Sequence, residues 1–151
     1  MSDRLLDTPR RRLALVLLLG AFPWTVLVYD GGVEAFFAVG FVNTTAWRFV
    51  TLLDYLAVAP VASLPGRLLA WPVSAALWAA ALASAALALT PREDRRVTAG
   101  ALALAGVNQA WFALGFWTRA NQLAVPIGAV LLLGGAVALA RAGSEDRRRQ
   151  S

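Results

Sequence analysis

The sequence predicts an all-α integral membrane protein: a four-helix bundle with an external interfacial helix between the first and second spans. Three observations lead there. Of the 151 residues, 59% are hydrophobic and 15% charged, against about 25% charged in ordinary soluble proteins. The charges crowd into residues 1–12, 91–96 and 141–149. Between them lie apolar tracts long enough, as helices, to cross roughly 30 Å of hydrocarbon.

In chain order, residues 1–12 read as a cytoplasmic N-terminal tail, 13–140 as the membrane domain and 141–151 as a basic cytoplasmic tail. The first span is "LALVLLLGAFPWTVLVY", residues 13–29, led in by Arg10, Arg11 and Arg12. At 1.5 Å per residue it covers about 25 Å, a shortfall that snorkelling arginines can absorb. Residues 1–29 also resemble a signal peptide, but no A-x-A-type site follows the apolar core, so an uncleaved signal-anchor is expected. The second span, 68–89, covers roughly 33 Å and is closed by Pro91. The third is 97–117. The fourth is 123–140, with Asn121 as its N-cap. Pro23 and Pro126 are expected to kink the first and fourth helices.

Residues 30–67 form the external excursion. Within it, "FVTLLDYLAVAPVASL" at 49–64 is apolar enough to suggest a fifth crossing, yet it carries Asp54 and Pro60. Counting arginines decides against a fifth crossing. All 14 basic residues are arginine. Four crossings put eleven of them inside and three outside, whereas five crossings spoil that asymmetry, and short cytoplasmic loops carry the excess of positive charge. Arg48, Thr51, Asp54 and Tyr55 fall on one helical stripe, and Phe49, Leu52, Leu53 and Leu56 on the other. That pattern predicts a helix lying in the outer interface, capped by Thr44 or Thr45. The run "AFFAVGFV" at 35–42 is too short to span, and is expected to cover the bundle mouth or re-enter. Both termini are then cytoplasmic, in a cell membrane.

Small residues mark the packing seams. The third helix carries Ala99, Ala103, Gly106, Ala110 and Ala113; the fourth carries Ala124, Gly128, Gly135 and Ala138. These are expected to face each other or the second helix at Ser74, Ala81 and Ala88. Trp24, Trp47, Trp71 and Trp117 are expected in an outer aromatic belt, with Trp78 and Trp111 as deeper filler.

The sequence has no Cys, no His and no Lys. Disulfides, thiolate or imidazole metal sites, His-based proton transfer and Schiff-base chemistry are excluded. Neither a cofactor, a metal nor catalysis is expected. The net charge of +5 is placed at a membrane face, so nucleic acid is not an expected partner. Two sets of residues stand out. Asn108 and Gln109 sit mid-way along the third span, as a polar lining or an interhelical hydrogen bond. Asp30, Glu34, Arg48, Asp54, Arg67 and Arg119 gather at the outer boundary, as an external charge cluster or as salt bridges holding the excursion.

The segments "RRLALVLLLGAFPWTV", "WRFVTLLDYL" and "LLAWPVSAALW" resemble an uncharacterised family of small polytopic membrane proteins from halophilic archaea. The resemblance covers residues 10–140 and implies an archaeal plasma membrane, with no activity to transfer. Function is therefore expected to be that of a non-catalytic accessory or scaffold subunit acting through lateral helix contacts. Its partners would be the lipid bilayer and a membrane protein or a second copy. The alternative is a small transporter or channel, alone or as an oligomer, lined by polar residues of the third span, its substrate unknown.

Overall fold

The computed structural model describes residues 6, 8–59, 61–87, 89–90, 94–117 and 120–150, without the side chains of 61 and 145–150. It corrects the all-α expectation: the described residues are mixed, with five α-helices, a 3-10 turn at Val61–Ser63 and one five-stranded antiparallel sheet. The elements are α1 (Pro9–Ala21), β1 (Thr25–Tyr29), β2 (Gly32–Phe36), β3 (Gly40–Asn43), β4 (Arg48–Thr51), α2 (Leu52–Val58), α3 (Gly66–Leu87), α4 (Arg95–Trp117), β5 (Gln122–Val125) and α5 (Ile127–Gln150). The strand order is β4-β3-β2-β1-β5.

The first expected span is half helix and half strand. Pro9 starts α1 where its missing N–H costs nothing. Phe22, in extended conformation, ends the helix, with Pro23 beyond it. The next segment, "TVLVYDGGVEAF" at 25–36, holds two β-prone runs around an Asp-Gly turn. It pairs as a hairpin with Thr25 opposite Phe36 and Tyr29 opposite Gly32. Gly32 adopts φ 149°, and a Cβ there would strike Thr45 Oγ1, so only glycine fits.

The re-entrant and interfacial expectations fail in the same way. Residues 35–42 belong to β2, β3 and their connection. The predicted 49–64 helix begins as β4, is α-helical over Leu52–Val58 and has a single 3-10 turn at Val61–Ser63. Its cap is Thr51, which accepts from the Asp54 N–H, not Thr44 or Thr45. Thr44 instead accepts from the Val33 N–H and donates to the Val33 carbonyl across the sheet. Pro60 lies outside the described residues. At the fourth span, residues 122–125 are strand β5, paired with β1. Asn121 is a left-handed turn residue at φ 64°, not an N-cap, and Pro126 precedes α5 instead of kinking it.

Among the described residues three helices are long and apolar enough to cross a membrane: Gly66–Leu87, Arg95–Trp117 and Ile127–Ser144. Helix α1, at 13 residues, reaches only about 20 Å. Helices α1 and α4 run toward the sheet, α3 and α5 away from it. Trp71, in the second turn of α3, donates its indole N–H to the Phe37 carbonyl between β2 and β3. Trp117, at the end of α4, donates to Ala124 of β5. At the far end Arg95 donates to the Ala142 carbonyl.

The small-residue seams are used unequally. Gly106 lies against the backbone of α5 at Ala129 and Leu133, as expected of a close crossing. Gly128 and Gly135 face elsewhere, toward Trp24 and Leu19. Helix α3 meets α4 through polar rungs: Ser74 to the Ala105 carbonyl and Thr98 to Ser84. Ala81 is fully buried, and Ala88 lies outside the described residues. The aromatic belt is also corrected, since Trp24 and Trp71 are buried in the core while Trp111 is exposed.

Gly20 is where α1 closes on α3. A Cβ there would come within 2.3 Å of the Trp78 ring, whose indole N–H donates to the Val16 carbonyl. Gly20→Ala should lower stability by about 1–3 kcal/mol through overpacking. Gly134→Ala, with nothing within 4 Å, should be neutral or slightly stabilising. Thermal unfolding of the two variants in detergent checks the contrast.

Candidate functional site: an aromatic pocket between sheet and helices

Strand alternation sorts the sheet into two unlike faces. The registers place Thr25, Leu27, Tyr29, Glu34, Phe36, Phe41 and Asn43 on the face toward the helices. There Phe36 meets Trp71 and Phe112 edge-on at 5.2 and 5.3 Å, and Phe41 meets Trp71 and Tyr55 at 5.9 and 6.2 Å. These rings, with Phe116 and Glu34, enclose a cavity of about 190 Å³. Such edge-to-face packing is the favoured geometry for aromatic quadrupoles.

Glu34 is the carboxylate at this cavity. Its Oε1 accepts from the Asn43 amide at 2.6 Å and, longer, from the Tyr29 hydroxyl at 3.4 Å. Asn43 stands directly opposite Glu34 in the ladder, so strand pairing itself supplies the donor. Tyr55 closes the other side, and burial pushes its hydroxyl above the ordinary tyrosine range. The arrangement can enclose an apolar group about one ring in size.

The expected external cluster does not assemble. Asp30 is exposed in the β1–β2 turn and Arg48 is exposed on β4. Asp54 accepts from its own cap, the Thr51 hydroxyl. Arg67 lies along Gly115 of α4 and donates to its carbonyl at 3.3 Å. Among the described residues these five charges form no ion pair with one another. Strand pairing and hydrogen bonds to uncharged partners, such as Asn43 to Glu34 and Arg67 to the Gly115 carbonyl, hold the excursion instead. Arg119 lies outside the described residues.

Asn108 and Gln109 part ways, as neighbours on a helix must. Asn108 donates to the Ala70 carbonyl and to Ser74 Oγ, joining α4 to α3. Gln109 is fully buried on another side of α4, and its Oε1 accepts from Thr25 of β1 at 3.0 Å. Its Nε2 has no partner. Sequence reasoning missed Thr25, Tyr29, Asn43 and the ring cluster. The signal for them was the Asp-Gly turn between two alternating β-prone runs.

The fold and site together define a helix–sheet protein with three helices suited to a membrane and one aromatic cavity where sheet and helices meet. Residues 2–150 match the family described as "Domain of unknown function (DUF8050)", and the chain belongs to that family. No curated protein and no solved structure matches it.

Thr25→Val should cost about 1–3 kcal/mol by leaving the Gln109 carbonyl oxygen buried without a donor. Adding Gln109→Leu should recover most of that loss, since removing both partners is far cheaper than removing one. A double-mutant cycle on unfolding free energies measures it. Separately, a tyrosine with a raised folded-state pKa keeps its proton longer when folded, so stability should fall as pH rises past the unfolded value near 10. Tyr55→Phe should flatten that alkaline loss in thermal unfolding scans.

Proposed function

We propose that this chain is a multi-pass integral membrane protein serving as a non-catalytic accessory or scaffold subunit, working through lateral contacts of its helices. The observation that carries the reading is the outside of the bundle. In the most apolar stretch of each long helix, only 33% to 44% of residues are buried within the protein. The remainder includes Leu104, Val107, Trp111, Val130 and Val137, all substantially exposed. Helices apolar on every side need an apolar surrounding, which lipid supplies.

In this reading the polytopic topology has an even number of crossings. Helix α1 runs on into β1, and the two together make the first passage. Strand backbone at membrane depth is tolerated where protein covers its polar groups, and β1 lies between β2 and β5. The arginine-rich ends, Arg10 to Arg12, Arg95 to Arg96 and Arg141 onward, then share the cytoplasmic side with both termini, in a cell membrane that the sequence resemblance would make archaeal. The sheet lies toward the opposite side. Transport through a polar third span has less support, because Gln109 is sealed against β1 and Asn108 is tied to α3.

The protein should resist alkaline carbonate extraction, and reporters fused to each terminus should both signal from the cytoplasm. A reporter active only outside the cell contradicts the topology. Asn108→Leu should cost on the order of 1 kcal/mol while leaving the protein in the membrane and proteoliposome solute flux at background.

A further inference from the structure

We propose that the sheet is itself embedded in the bilayer, with its outward face in direct contact with lipid. This rests on the membrane reading and goes beyond it. Depth points to it first. Thr25, at the start of β1, is bonded to Gln109, which lies eight residues before the end of α4, about 12 Å down a helix. Trp71, bonded to the β2–β3 connection, lies five residues inside the start of α3, about 7.5 Å. The sheet therefore packs along the sides of the long helices and not on top of them. It fills the level that the short α1 leaves vacant.

The composition of the outward face agrees. The registers turn Val26, Val28, Val33, Ala35, Leu123 and Val125 away from the helices. No charged side chain stands among them, whereas the inward face carries Glu34, Asn43, Tyr29 and Gln122. Val28, Leu123 and Val125 are exposed. The inward face also carries Leu27, Phe36, Phe41 and Ala124, so the sheet is apolar on both faces, whereas a soluble antiparallel sheet presents polar residues on its outward one.

Continuity and polarity along the strands complete the case. Exposed Phe22 at the end of α1 leads into this face at Val26, and exposed Leu123 and Val125 lead out into Ile127 of α5. The apolar exterior thus passes from helix to sheet without interruption. One end of the strands carries Asp30, Asn43, Thr45 and Asn121, which fit headgroups and water, and the other carries Trp24, Phe37 and Val39. Sheet edges must avoid hydrocarbon. On β5 the Trp117 indole occupies the Ala124 carbonyl. On the opposite edge β4 carries Arg48 at the polar end of the strands, and at its other end it turns into α2, whose Asp54 carboxylate accepts from the Thr51 hydroxyl.

The chain contains no cysteine, so single labels can be introduced cleanly. Val28→Cys, Val33→Cys and Leu123→Cys on the sheet and Val130→Cys on α5 would each carry a nitroxide in nanodiscs. Collision with oxygen and with a water-soluble nickel chelate then reports depth. The expected result is that all four sites favour oxygen over the chelate several-fold. If Val130→Cys does so while the sheet labels collide freely with the chelate, the embedded sheet is wrong and the membrane reading survives. If the sheet labels collide with neither reagent, a protein surface covers that face and the proposal is overturned. Should Val130→Cys also collide freely with the chelate, both readings fall.

Discussion

The structure depends most on the seating of one residue, Trp24. Its backbone N–H donates to the Phe36 carbonyl and its own carbonyl accepts from Gly128 at the start of α5, both at 2.6 Å. Its indole donates to the Leu19 carbonyl, one of the unsatisfied groups at the end of α1. The ring meets Trp78 of α3 edge-on at 6.4 Å. Four elements converge on this fully buried side chain. The bond to Gly128 needs close backbone approach, because a Cβ there would fall 2.5 Å from Trp24 Cα. Gly128 is thus a glycine for the sake of a strand–helix joint, not of a helix–helix seam.

Indole donors recur at three further joints of the molecule. Trp71 ties α3 to the sheet, Trp78 ties α3 to α1, and Trp117 ties α4 to β5. The chemistry suits a chain in which few charged side chains are buried, Arg12 being one. An indole offers a large apolar body and one donor, so it can satisfy an orphan carbonyl without the desolvation cost of an ammonium or guanidinium. The polar rungs between α3 and α4 follow the same economy, using hydroxyls and one amide. The contacts between these helices are consequently neutral hydrogen bonds.

The two faces of the sheet give a consistent picture of where the molecule is dry. Rings and a hydrogen-bonded carboxylate lie inward, around the cavity, and aliphatic side chains lie outward. In the embedded setting proposed above, an apolar outward face is the appropriate one, much as the outside of a barrel strand is apolar. The Glu34–Asn43–Tyr29 group lies on the face toward the helices, where it is part-buried.

By itself the sequence determined three of the long helices, the absence of thiol, imidazole and amine chemistry, and the arginine-rich ends. These properties are local: an apolar run of about twenty residues commits to a helix whatever surrounds it, and composition is independent of folding. It also carried the hairpin signal around Asp30 and Gly31, masked because an apolar strand and a short apolar helix share the same hydropathy. Only the tertiary structure decided that residues 25–29 and 122–125 are strands, since each needs the other as a ladder partner from almost a hundred residues away. It alone brought Thr25 to Gln109, gave Glu34, Asp54 and Arg67 of the expected charge cluster separate uncharged partners, and formed the ring-lined cavity. Those are long-range pairings, and nothing in the spacing along the chain encodes them.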